Sequence, residues 1–234
     1  MKESSSVRTT MFLSLMMQLI IFAISVKTQS TPVSKKDIIL KDALLLENVV
    51  QFVEICFYIW FTLIISKQMY PSDLAKYRYI DWVFTTPTMI LSTVAYFHYN
   101  NIESNTGFRI HDFAKEHWKS ISYMFVNNWL MLLMGFLQEI NFISIIYSTV
   151  FGFVFFGLLF YEMYSNFSSL SSKNSFVFAT MFTLWAAYGI VSLNSKELKN
   201  ISYNILDVFS KNFYGLFLVY TIHKLSLNTW FKHL

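Results

Sequence analysis

The chain has 234 residues, of which 55% are hydrophobic and only 14% charged, with a mean hydropathy of +0.44. Soluble domains carry about a quarter charged residues, so an ordinary soluble fold is excluded. The net charge of +4 is spread over short connections, which excludes a basic face for nucleic acid. Cys56 is the single cysteine, so no intrachain disulfide can form.

Apolar runs at residues 9–28, 43–66, 75–98, 117–137, 139–163, 174–194 and 200–223 each approach or exceed the roughly 20 residues that a bilayer crossing requires. No repeat, low-complexity tract or soluble domain is left over. The expected fold class is an all-α membrane protein, a seven-transmembrane-helix bundle in which residues 1–234 form one domain. In the first run Arg8, the apolar stretch Met11–Ile24 and the following Ser-Val-Lys-Thr-Gln-Ser also have the form of a secretory signal peptide. A small-x-small cleavage site is lacking, and the run is read as the first span. With the N terminus outside, Lys27, Lys35, Lys36, Lys41, Arg109, Lys115, Lys119, Lys173, Lys224 and Lys232 fall inside. Lys2, Arg8, Lys67, Lys76, Lys196 and Lys199 fall outside. The excess of basic residues inside favours N-out, C-in.

Between the first two spans, Ser34–Leu46 interleaves Lys35, Lys36, Asp37, Lys41 and Asp42 with Ile38, Ile39, Leu40 and Leu44. It is read as a short amphipathic helix on the inner membrane surface or as a polar loop. The second span carries Glu47, Gln51, Glu54, Tyr58 and Thr62 at helical spacing, a narrow polar stripe on an otherwise apolar rod. Carboxylates about 10 Å apart along a membrane helix must line water or polar partners. Hydrogen-bonded glue between helices is the plainer alternative, and the five-residue stripe favours a hydrated path.

The third span contains Arg78-Tyr-Ile-Asp81-Trp82-Val-Phe-Thr85-Thr86-Pro87, with Ser92 three turns beyond the aspartate. Arg78 and Asp81 share a face, so the guanidinium is expected just outside that carboxylate. Pro87 has no N–H and frees a carbonyl one turn earlier. In the fourth and fifth spans Asn127 and Asn128 are uninformative, and the Phe151–Phe156 run is read as packing. The sixth carries Trp185-Ala-Ala-Tyr188. The seventh holds Lys211 near its middle with Asp207 one turn before it, on the same face. A charged lysine at mid-bilayer costs on the order of 3 kcal/mol or more, so it marks a functional site. Its plain alternative is an ion pair that only joins helices. In apolar surroundings an amine also readily forms Schiff bases.

Arg-Tyr-x-Asp-Trp-x-Phe-Thr-Thr-Pro resembles the third helix of the microbial (type 1) rhodopsins, and Leu206-Asp207-Val-x-Ser-Lys211 resembles their seventh. The likeness extends over all seven spans, and Trp185 to Tyr188 resembles the aromatic wall of the family's pocket. Gly189 and Ser192 depart from the pattern, standing where the family usually has proline and a second tryptophan. The resemblance implies all-trans retinal bound to Lys211 as a protonated Schiff base, with Asp81 and Asp207 as counterions. It also implies a retinal pocket including Trp82, Thr86, Trp185 and Tyr188, and proton transfer towards Asp81 with Arg78 and Thr85 beside it. Ser92 stands where outward proton pumps of the family have a carboxylic donor.

The likeness is closest to the channel-forming group of viral rhodopsins. By that resemblance Ser14, Glu54 and Asn212 are gate candidates, Glu47 an inner constriction, and Gln51 part of the same ion pathway. Glu54 is expected to govern ion flow with little effect on colour. The functional expectation is a light-gated channel for monovalent cations and protons, not an enzyme. The alternatives are an outward proton pump with Asp81 as acceptor, or a sensory photoreceptor. Implied partners are retinal, the transported cations and the lipid bilayer, with no nucleic acid. A homo-oligomer is compatible with the sequence, as is a cellular membrane of an infected eukaryotic host. A G-protein-coupled receptor is excluded, because the seventh span lacks Asn-Pro-x-x-Tyr.

Overall fold

The computed structural model describes residues 3–65, 74–101 and 107–231. Lys2, Lys67 and Lys232, which entered the orientation argument, lie outside the described residues. The described chain is all helical and forms seven spans. Span one is Glu3–Thr28. Span two is Ile38–Trp60, continued by a π turn at Phe61–Ile65. Span three is Ala75–Asn101, and a short helix at Ile110–Glu116 leads into span four, Trp118–Glu139. Span five is Ile145–Met163 with a π turn at Tyr164–Ser168, and span six is Ser175–Val191. Span seven comprises Lys196–Asp207, a π turn at Val208–Asn212 and Phe213–Phe231.

Six helical stretches are long and apolar enough to cross a membrane on length and composition alone. Span three is the exception, since Lys76, Arg78, Asp81 and its hydroxyl residues dilute its apolarity. Those polar groups are supported by their neighbours: Arg78, Asp81, Thr85 and Ser92 are all buried. Outward-facing side chains are apolar, among them Phe12, Phe52, Phe84, Ile146 and Phe176. That inversion suits a lipid solvent, and the chain is an integral multi-pass membrane protein.

Ser34–Leu46 is neither a separate surface helix nor a loop. A 3-10 turn at Lys35–Asp37 runs directly into span two, and Ile39, Leu40, Ala43 and Leu44 are buried in the bundle. The acids that made the stretch look like surface have partners. Asp37 accepts from Tyr99 Oη at 2.8 Å and Ser34 Oγ at 2.5 Å, and Asp42 accepts from Arg109 Nε at 2.7 Å and the Ile110 amide at 3.1 Å. The fourth and fifth spans, read from the sequence as 117–137 and 139–163, are separated by a tight turn around Asn141. Asn141 takes a left-handed conformation there, φ 59°, which asparagine tolerates better than most residues. The first apolar run is packed into the bundle: Asn204 Nδ2 of span seven donates to Thr10 Oγ1 at 2.8 Å.

Pro87 sits inside an unbroken helix. The carbonyl it leaves without an intrahelical donor is that of Val83, and the Trp129 indole N–H from span four donates to it at 3.1 Å. Two ends of the bundle can be distinguished by residues of span three, an Arg78 end and a Ser92 end. The largest apolar core, including Val94, Phe97, Met124, Leu159, Phe160 and Leu218, fills the Ser92 end. Smaller clusters around Met11 and Phe57, and around Tyr79, Trp82 and Tyr203, fill the Arg78 end. Polar side chains are concentrated between these cores.

Candidate functional site

Lys211 is 2% exposed and lies in the π turn of span seven. A π turn widens the helix locally and commonly marks a functional site. The amine reaches three carboxylates from three spans. Nζ donates to Glu54 Oε1 and to Asp81 Oδ2, each at 2.9 Å, and lies 3.7 Å from Asp207 Oδ1. Asp81 and Asp207 thus both lie within 4 Å of the Lys211 nitrogen. Glu54 is brought into the same shell, closer than Asp207. This departs from the expectation that Glu54 acts on ion flow apart from colour, since its carboxylate touches the atom that would carry the chromophore.

Arg78 does not sit over Asp81. Its Nη1 donates to Asp207 Oδ2 at 2.9 Å and to Tyr58 Oη at 3.2 Å, and Nη2 bonds Asn204 Oδ1. The shared helical face sets where the side chain starts. The length of the arginine lets it cross to span seven, where a carboxylate, an amide and a phenol converge. Asp207 has both oxygens occupied: Oδ2 also accepts from Tyr58 Oη at 2.7 Å, and Oδ1 accepts from Tyr188 Oη at 2.7 Å. Tyr188 and Ser210 hydroxyls are 2.8 Å apart. Three carboxyl groups and two basic side chains thus form one buried network. Tyr58 belonged to the polar stripe, but Asn204 and Ser210 had no signal in the sequence beyond being polar in a membrane span.

A slot leads away from Lys211. Its walls include Trp82, Thr86, Met131, Leu132, Trp185 and Tyr188. Trp82 meets Tyr188 edge to face, with ring centroids 5.4 Å apart. Thr86 is oriented by two bonds, donating to the Trp82 carbonyl at 2.7 Å and accepting from Asn128 Nδ2 at 2.7 Å. Asn128 is thus a supporting residue that the sequence did not single out. Beyond this slot lies a second space bounded by Gly152, Phe153 and Gly189. A Cβ at Gly189 would come within 2.9 Å of the Phe153 ring, so the aromatic of span five fills the end where the familiar proline is missing. Ser192 turns back on its own helix, donating to the Gly189 carbonyl at 2.6 Å. A buried amine beside three carboxyl groups, opening on aromatic walls of Trp82, Trp185 and Tyr188, has the chemistry to hold an apolar aldehyde such as retinal.

Towards the Ser92 end, polar side chains of spans one, two and seven continue the site. Glu47, Gln51, Glu54 and Asn212 are each 0% exposed. Ser92 Oγ donates to Glu47 Oε1, so the position a pump's carboxylic donor would hold is joined to a carboxyl from span two. Gln51 and Asn212 have neither amide atom bonded, and Glu47 Oε2, Glu54 Oε2, Asn48 Oδ1 and Gln18 Oε1 are also unbonded. Ser14 lies on the same seam, but its bonded neighbour is Gln18 Nε2 at 3.1 Å, one turn along its own helix. Thr85 likewise bonds back, to the Asp81 carbonyl at 3.0 Å. The stripe made Glu47, Gln51 and Glu54 visible, whereas Gln18 and Asn48 looked like ordinary polar residues.

A sequence family described as bacteriorhodopsin-like protein matches residues 6–225. Among solved structures, viral rhodopsin OLPVRII is 26% identical with a TM-score of 0.80, the match covering 94% of this chain and 98% of that one. The blue light-absorbing proteorhodopsin from Med12 is 18% identical, TM-score 0.69, over 93% and 96% of the two chains. The bromide-bound halorhodopsin from Halobacterium salinarum is 14% identical, TM-score 0.69, over 94% and 95%. The last two are similar in fold alone. No curated protein sequence matches.

Proposed function

Because the chain belongs to the bacteriorhodopsin-like family of microbial rhodopsins, whose chromophore is retinal, we propose that it is a light-gated cation channel with all-trans retinal joined to Lys211. The observation that carries this reading is the column of buried, unbonded polar atoms on spans one, two and seven. Leaving a buried polar group without a partner costs about 1–3 kcal/mol, so such groups recruit water. A run of them along one helical seam supports a hydrated path. With the N terminus outside, the Arg78 end faces out and the Ser92 end faces in.

Retinal, when bound, supplies light absorption and a change of shape. The protein's part is to hold a cation and to transmit its displacement. Asp81 and Glu54 accept from the Lys211 nitrogen, while Arg78, Tyr58 and Tyr188 keep Asp207 fixed beside it. Asp81, bonded directly to that nitrogen and lacking a bond to Arg78, is the natural acceptor of its proton. Glu54 has one oxygen on the nitrogen and the other unbonded. It belongs to the chromophore's shell and to the column at once. A shift of the nitrogen would release Glu54 into the column, where a carboxylate attracts cations and repels anions. The wide turn at Val208–Asn212 is a segment that can change its hydrogen bonding without breaking span seven.

Voltage-clamp recording from cells expressing the protein and supplied with retinal tests this reading. A channel gives photocurrents that change sign near a cation's equilibrium potential. Outward current at every usable potential would replace the channel with a pump, and no current would favour a sensor. The bond from Ser92 to Glu47 favours the pump as second reading, because it places a carboxyl from span two beside the position of the missing donor.

A further inference from the structure

Spans six and seven diverge on the Ser92 side of Trp185. Between them lies an apolar groove of about 820 Å3, against about 60 Å3 for the slot at Lys211. Its rim includes Phe176, Phe213 and Tyr220, which are 73%, 51% and 63% exposed among the outward-facing, lipid-suited side chains. Its floor is made by Met89, Trp185 and Ser210, and these three residues also line the slot at Lys211. The slot in turn shares Trp82, Trp185 and Tyr188 with the space bounded by Gly152 and Gly189. Membrane groove, attachment lysine and aromatic chamber therefore stand in series.

We propose that the groove between spans six and seven is the lateral port through which retinal enters from the lipid. The proposal rests on the retinal reading above and adds the route. Retinal is apolar and concentrates in the bilayer core, so a mainly apolar route, with polar groups such as the hydroxyls of Thr93, Thr180, Thr183 and Ser210, avoids the cost of passing charged and amide groups. The other seam leading to Lys211, between spans one, two and seven, is lined by Glu47, Gln51 and Asn212 and presents that cost. The groove also matches the polarity of the ligand. Entering ring first under Trp185, the molecule leaves its aldehyde last, at the turn that carries Ser210 and Lys211. Lys211 passes one proton to Asp81, the neutral amine adds to the carbonyl carbon, and the carbonyl oxygen leaves as water with the two remaining amine protons while the proton held by Asp81 returns to the C=N nitrogen.

The test is the rate at which colour grows after all-trans retinal is added to the retinal-free, full-length protein in lipid vesicles. Thr180→Trp, on the groove wall, should slow colour growth about tenfold, a barrier change of about 1.4 kcal/mol. Phe213→Ala, at the rim, should speed it. Both should reach the wild-type absorption maximum, and Phe12→Trp, on the exposed face of span one, should leave the rate alone. If Thr180→Trp and Phe213→Ala both colour at the wild-type rate, the port lies elsewhere. Should Thr180→Trp fail to fold, the Phe213→Ala rate decides alone: acceleration upholds the port and an unchanged rate overturns it. A wild-type protein that never colours overturns the retinal reading itself, an outcome distinct from a coloured protein whose rates ignore the groove.

Discussion

The two sides of Lys211 treat their polar groups differently: towards Arg78 most charged atoms have a partner, Arg78 Nε and Asp81 Oδ1 excepted, whereas towards Ser92 whole side chains have none among the described residues. Towards Arg78, Asp207 accepts three hydrogen bonds through its two oxygens, and Asn204 bridges Arg78 to Thr10 of span one. Towards Ser92, Gln51 and Asn212 bond nothing, and Glu47 and Glu54 each keep one oxygen unbonded. A densely bonded network of charges is rigid, and removing one member leaves its partners stranded in a low-dielectric interior. An unsaturated column is held together by apolar packing around it and takes up water easily. The first arrangement suits a fixed electrostatic anchor and the second a passage. Glu54 is the residue that belongs to both.

The largest expected effect lies at the junction itself. Lys211→Ala removes the only amine in the shell of three carboxylates, and the protein with retinal should show no bound visible band. A retained band would move the attachment site away from span seven. Next comes the densely bonded side. Asp207→Ala leaves Arg78 buried with its carboxylate gone and Tyr58 and Tyr188 without their acceptor, a loss of about 3–5 kcal/mol for a buried pair broken from one side. It should appear as a large fall in the temperature of thermal bleaching. A fall no larger than that from Gln51→Ala would erase the distinction between the two sides.

Glu54→Gln tests the junction from the other direction. The variant should change reversal potential or conductance, as a pore carboxylate would. It should also move the absorption maximum, because it replaces the carboxyl that accepts from the Lys211 nitrogen at 2.9 Å with a neutral amide. A shift in current with no shift in colour would place Glu54 in the column alone.

The contrast between the sides was only half legible in the sequence. Everything governed by local periodicity could be read there. The spans, the stripe of Glu47, Gln51 and Glu54, and the one-turn pairing of Asp207 with Lys211 all follow from residues close along a helix. What depends on reach across the bundle could not. Arg78 starts on the face of Asp81 but ends on Asp207, because a long side chain goes to the densest set of acceptors. Ser34–Leu46 has the pattern of a surface helix, and only Tyr99, Arg109 and the Ile110 amide, distant in sequence, make its acids internal. Asn204, Asn128 and Ser210 are single polar residues whose roles exist only through partners on other spans. The groove between spans six and seven is a property of how two helices diverge, which no residue pattern encodes.

The smallest effect is the sharpest probe of the unsaturated side. Gly215 of span seven lies opposite Gln51, and a Cβ there would stand 2.5 Å from Gln51 Nε2. The missing side chain is what lets this amide lie in the column between Glu47 and Glu54. Gly215→Ala must push Gln51 aside, since no Cβ tolerates that contact and the flexible amide yields before the backbone does. Gln51 has no protein hydrogen bond to lose, so folding stability should change by about 1 kcal/mol or less. The displaced amide should instead alter the constriction, and recordings should show a changed dark leak or closing rate with the colour unmoved. Gln51→Ala removes the obstructed group, so adding Gly215→Ala to it should have almost no further effect. That non-additivity identifies the contact as the cause. If Gly215→Ala changes current equally with Gln51 present or absent, the two residues act separately, and the column is gated somewhere other than at this glycine.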